Sequence, residues 1–153
     1  YTSMVYLFKP GVICHIEGPF GAFSYAKVKS KRQIWIAGGI GITPFLGMAR
    51  QINNGGYSDY NIDLYYSIKN ASEAAFFEEL AEISKQNNNF KLHQHFSEKE
   101  GYISSRSVVI NNNDISKTEV FLCGPGGFMQ SLREQFVNSG FANNKIHSEE
   151  FAL

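Results

Sequence analysis

The run Gly38-Gly39-Ile40-Gly41-Ile42-Thr43-Pro44 follows the apolar stretch Ile34-Trp35-Ile36-Ala37. Its residue types suit a backbone that grips phosphate. Glycines let a chain bend sharply and come close to a ligand. Thr43 suits a helix N-cap, and Pro44 suits the first helical position, where a missing N–H costs nothing. A helix starting there presents free N–H groups and a positive dipole end, which favours a diphosphate. The competing reading is a tight strand-to-helix turn that binds nothing. The spacing is not the three-glycine dinucleotide fingerprint, because Pro44 stands where the third glycine would be. Nor does an acidic residue follow the second apolar run, which ends Tyr65-Tyr66-Ser67-Ile68-Lys69.

A second stretch, Val120-Phe121-Leu122-Cys123-Gly124-Pro125-Gly126-Gly127-Phe128-Met129, repeats this logic. Ligands of open parallel sheets bind at the carboxyl ends of the strands, so Cys123 is expected either beside a ligand ring or as a small apolar core residue. His93 and His95 alternate and share one strand face. Further ligands are not evident near them, so no metal site is expected. His147, two residues before Glu149, reads as strand-edge packing, Phe76-Phe77 as helix packing, and Trp35 as core. Cys14 and Cys123 lie in apolar runs that read as buried strands, and they are expected to stay reduced.

These residues need a frame. Met4–Phe8 and Val12–Glu17 read as strands joined by a turn at Pro10-Gly11. A charged connector, Lys27–Arg32, follows. Strands are then expected at Gln33–Ala37, Ile62–Ile68, Phe90–Phe96, Glu119–Cys123 and Ile146–Phe151. Helices are expected at Thr43–Asn53, Glu73–Ser84 and Gly126–Ser139. Strands alternating with helices predict an α/β fold with a parallel sheet and right-handed crossovers. Asn70-Ala71-Ser72 fits a glycosylation pattern but reads as a helix entry.

The 153 residues suit one domain, and 43% hydrophobic with 18% charged residues is an ordinary globular mix. Fourteen basic and fourteen acidic side chains cancel, so the totals give no support to nucleic-acid binding. The longest uncharged stretch, Gln33 to Ala49, is too short and too interrupted by Gly and Pro to cross a bilayer comfortably. No signal peptide is visible. The chain opens at Tyr1 and is expected to be a piece of a longer protein.

Four blocks, in order, carry a family resemblance. They are Glu17-Gly18-Pro19-Phe20-Gly21-Ala22-Phe23, then Trp35 through Phe45, then Phe121-Leu122-Cys123-Gly124-Pro125, then Ile146-His147-Ser148-Glu149-Glu150-Phe151. Together they resemble the ferredoxin–NADP reductase superfamily, above all bacterial ferric-reductase-like membrane oxidoreductases and NADPH oxidases. The resemblance implies a Rossmann-like sheet with helices on both faces over residues 30–153, an NAD(P)-binding domain. It also implies that residues 1–29 are the last strands of a truncated FAD-binding β-barrel and a connector.

By position, the resemblance implies that Gly38, Gly39, Ile40, Gly41, Thr43 and Pro44 hold the NAD(P) diphosphate. Cys123, Gly124 and Pro125 would border the nicotinamide. Glu149 and Phe151 would lie near the flavin ring, and Gly18, Pro19, Phe20 and Gly21 would face the cofactors. Ser67, Lys69 and Arg106 favour NADPH over NADH, unless the two cations are merely solvated surface charges. The expected activity is hydride transfer from NAD(P)H to FAD, then single electrons onward to heme, ferric iron or oxygen, with a heme-bearing membrane domain as the expected partner. The chain itself would not insert, and it would sit on the cytoplasmic face of an inner or plasma membrane protein. A soluble reductase serving an iron–sulfur protein and a non-catalytic nucleotide-binding module are the competing readings.

Overall fold

The computed structural model describes residues 7–18, 21–55, 59–108 and 112–150, with the backbone alone for 112–114. Five parallel strands form one sheet in the order β3-β2-β1-β4-β5. They are β1 (Arg32–Gly38), β2 (Asn61–Ile68), β3 (Phe90–Phe96), β4 (Thr118–Cys123) and β5 (Ile146–Glu149). Both faces of the central strands are covered, which is why β1 and β4 read as near-continuous apolar runs.

Helices α1 (Ile42–Asn53) and α2 (Phe77–Gln86) cover one face, where Trp35, Ala37, Leu64, Tyr66 and Phe121 point. The short α3 (Ser97–Glu100) follows β3, and α4 (Gly126–Asn138) covers the other face over Ile34, Ile36, Val120 and Leu122. In α1 the buried positions Phe45, Leu46, Met48, Ala49 and Ile52 follow the helical repeat, as Met129, Leu132 and Phe136 do in α4. Trp35 is fully buried, stacked on Phe45 at 5.4 Å between ring centroids. Its indole N–H donates to Gln33 Oε1 at 2.9 Å. The Gln33 amide in turn donates to the carbonyls of Tyr25 and Ser30, both at 3.0 Å, which ties the connector to β1.

Several expectations need correction. Val12–Glu17 forms no strand, because among the described residues no neighbouring strand pairs with it. Met4–Phe8 lies largely outside the described residues. Cys14 is exposed, not buried in a strand. The helix expected from Glu73 begins at Phe77 instead. A 3-10 turn, Ala71–Glu73, comes first, capped by the Asn70 side chain accepting from the Ser72 N–H at 3.1 Å. Phe76 then takes a left-handed conformation, φ 59°, which breaks the path between turn and helix.

Asp63 is buried in β2, on the α4 face. Its Oδ1 lies 2.6 Å from His93 Nε2 on β3, and its Oδ2 pairs with the Arg32 guanidinium. Burial works to raise this carboxyl, but the His93 ring and the Arg32 charge outweigh it, and its pKa falls below the ordinary carboxylate value. A lowered folded pKa adds stability that is present above the unfolded value and lost as pH falls through the folded one. Asp63→Asn is therefore expected to destabilise the fold at neutral pH by about 1–2 kcal/mol. The variant should also show a shallower loss of stability than wild type between pH 5 and 2. Urea titrations across that range check both, and equal slopes would discard the assignment.

Candidate functional site

The strand order reverses direction between β1 and β4, so the loops leaving these two strands part to opposite faces. In open parallel sheets the crevice at such a point is where ligands bind. Both glycine turns predicted from the sequence meet there. A 3-10 turn, Gly39–Gly41, leaves β1 and runs straight into α1. Gly39 holds φ 54°, and a Cβ built on it would meet nothing within 4 Å, so its surface is bare backbone facing open space. Gly41 is the opposite case. A Cβ there would lie 2.2 Å from the Cys123 carbonyl oxygen and 2.7 Å from the Gly124 nitrogen. Gly38 and Gly124 also touch, since a Cβ on Gly124 would sit 3.1 Å from the Gly38 Cα. The two turns interlock, and glycine is what lets them.

The cap differs from expectation. Gly41 is the N-cap of α1, Thr43 is the second residue of the helix and Pro44 the third. The preceding 3-10 turn starts the helix early, and the Thr43 hydroxyl donates back to the Ile40 carbonyl at 3.1 Å. Neither α1 nor α4 carries an acidic residue in its first turn, so two positive dipole ends face the crevice. Glu150 Oε1 lies against Gly126 at the start of α4, which makes the α1 terminus the better anion site.

A cavity of about 590 Å³ opens beside the turns. Gly38, Gly39 and Ile40 form one wall, Ser67, Ile68 and Lys69 from the end of β2 another, and Pro125, Gly127, Phe128, Ser131, Leu132 and Gln135 from α4 a third. Tyr102, Ile103 and Ser104 close the far side. Ile40 and Tyr102 are 68% and 93% exposed at its lip, apolar surface suited to a planar ring. Of the predicted residues, Gly38, Gly39, Ile40, Ser67, Lys69 and Pro125 come together here. Gly41, Cys123 and Gly124 form the crossing of the turns. Arg106 is exposed and does not line the cavity.

Cys123 is fully buried in the core on the α1 side. Burial, reinforced by the Glu149 charge, pushes its thiol up to about 11, so it stays protonated at neutral pH. Glu149 pairs with Cys123 in the β4–β5 register, and a Cβ on Gly21 would lie 3.2 Å from Glu149 Oε1. Gly21 and Glu149 thus meet, whereas Pro19, Phe20 and Phe151 lie outside the described residues. His93 is taken by Asp63, and His95 Nε2 sits 2.8 Å from the Gly101 carbonyl oxygen. Among the described residues no group of three or more His, Cys, Asp or Glu is arranged to hold a metal, and no helix is long and apolar enough to cross a membrane.

Sequence reasoning missed the α4 wall and the Tyr102–Ser104 wall. Phe128, Ser131, Leu132 and Gln135 recur at helical spacing, so the predicted helix already carried that signal. Residues 101–104 have no periodicity to read.

A doubly wound parallel sheet with glycine turns crossed at its switch point defines a nucleotide-binding module of the Rossmann-like class. The chain belongs to the family described as the oxidoreductase NAD-binding domain, matched over residues 35–134, within the ferredoxin–NADP reductase superfamily. The vanillate O-demethylase oxidoreductase of Pseudomonas putida is 31% identical over 93% of this chain and 42% of its own length. Flavohemoprotein A of Dictyostelium discoideum is 30% identical over 89% of this chain and 34% of its own length. The crystal structure of flavohemoglobin from Malassezia yamatoensis, with bound FAD and heme, superposes with a TM-score of 0.79 at 26% identity, over 97% of this chain and 40% of that one. The chain therefore spans less than half the length of these relatives.

Proposed function

We propose that this chain is the coenzyme-binding part of a flavoprotein reductase, receiving NADH or NADPH and presenting its nicotinamide to an FAD held mainly by sequence outside the chain. The carrying observation is the crossing of the two glycine turns, which sets bare backbone at Gly39 beside the uncapped start of α1. Amide groups there suit a diphosphate. The size of the cavity suits the rest of a dinucleotide, with Ile40 and Tyr102 offering apolar faces to a ring. The sequence put forward Ser67, Lys69 and Arg106 for NADPH. Ser67 and Lys69 line the cavity, and Arg106 does not.

FAD supplies, when bound, acceptance of a hydride and release of single electrons. The chain's own residues have a positional task. Gly39 and Gly41 set the diphosphate, and Gly124 and Pro125 border the nicotinamide. The buried, protonated Cys123 thiol keeps that border free of a competing nucleophile. Gly21 and Glu149 mark the side from which the flavin approaches. Hydride transfer needs close approach and no acid–base pair. For the onward acceptor, the heme bound in the flavohemoglobin supports heme on a partner domain. The membrane setting and the ferric-reductase or NADPH-oxidase role rest on the sequence resemblance. The reductase names among the relatives favour a second reading, in which the acceptor is an oxygenase component.

The test is an amide-resolved NMR titration with NADH and NADPH. The signals of Gly39, Gly41 and Ile42 are expected to move first and furthest, with Gly124 following. Coenzyme binding that leaves those four unmoved would overturn the reading.

A further inference from the structure

We infer that Glu98 sets the coenzyme choice of this site, favouring NADH over NADPH by holding the Lys69 ammonium away from a 2′-phosphate. The inference rests on the dinucleotide reading above. The sequence shows no acidic residue at the end of β2, where a carboxylate often discriminates between the two coenzymes. The fold delivers one from α3, just beyond the next strand. The Glu98 N–H donates to the Lys69 carbonyl at 3.2 Å, which docks the first turn of α3 onto the tip of β2. The Glu98 carboxylate then receives two contacts from that tip. Oε1 lies 3.5 Å from Lys69 Nζ, and Oε2 accepts from Asn70 Nδ2 at 3.3 Å. Lys69 and Ser97 line the main cavity, while Glu98 lines the hollow behind Lys69.

Charge around this end opposes a second phosphate. Among the described residues Lys69 is the cation lining the cavity, and Glu73 lines it too. On α3, Glu98 and Glu100 flank Lys99, whose ammonium lies over the Phe96 ring. Glu100 is turned to the Phe96 N–H and to His95. A 2′-phosphate carries nearly two negative charges and would have to compete with Glu98 for Lys69. The neutral ribose hydroxyl of NADH meets no such competition.

The experiment measures NADPH and NADH affinity on the full chain, together with adenosine 2′,5′-bisphosphate and 5′-AMP, which isolate the adenosine end. Wild type is expected to prefer NADH. Glu98→Gln keeps the size of the side chain and an acceptor for Asn70, and it should raise the NADPH-to-NADH affinity ratio roughly fivefold at low salt. The gain should shrink as salt screens it. In a Lys69→Ala background the same substitution should move the ratio little, because Glu98 acts through Lys69. A wild-type preference for NADPH, a ratio unmoved by Glu98→Gln, or a gain undiminished without Lys69 would each overturn the inference while leaving the dinucleotide site intact. Failure of all four ligands to bind would overturn the site and the inference together.

Discussion

Gly41→Ala is expected to cost the fold about 3 kcal/mol, because overpacking against rigid backbone is not relieved by a rotamer change. A methyl group at that position would lie 2.2 Å from the Cys123 carbonyl oxygen, well inside any tolerated contact. The turn after β1 and the turn after β4 would have to separate, and the crevice would open with them. Coenzyme binding should be lost even in the fraction that stays folded. Gly47→Ala in the same helix is the control. A Cβ at Gly47 meets nothing within 4 Å, so alanine there should add about 0.5–1 kcal/mol through helix propensity. Urea midpoints for the pair decide the matter. If both substitutions behave alike, the two turns do not touch as described.

Gly39→Val should separate binding from folding. The position has φ 54°, where a β-branched residue is strained by about 2 kcal/mol. No neighbour obstructs the side chain, so the fold survives. The added methyl groups stand where a diphosphate would meet the backbone. Loss of one or two charge-assisted hydrogen bonds lowers affinity by roughly a hundredfold. Calorimetry with NADH on wild type and variant reads this directly. A variant that binds within threefold of wild type would place the diphosphate elsewhere.

The sheet was legible because its central strands are covered on both faces. Gln33–Ala37, Ile62–Ile68 and Glu119–Cys123 match the observed strands to within one residue at either end, since each is a compact run with apolar positions enforced by packing. The glycine turns were legible because few other residues bend and approach as they do. What escaped depends on neighbours distant in sequence. The alternating apolar residues of Val12–Glu17 suggest a strand, yet a strand requires another to pair with. Thr43 is a good cap in isolation, but the 3-10 turn at Gly39–Gly41 starts the helix before it. Phe76 in a left-handed conformation defeats any propensity scale. Glu98 meets Lys69 only because β3 lies beside β2 and brings α3 against its tip.

The register of the sheet also bears on how the molecule comes into being. β1 is hydrogen-bonded on one side to β2 and on the other to β4, with Arg32 opposite Thr118 across a long intervening stretch of chain. Loop closure on that scale is slow, and nothing local rewards it in advance. During synthesis the first three strands can assemble while β1 still lacks its second neighbour. The crevice has only one bank until β4 arrives, so the complete cavity forms last.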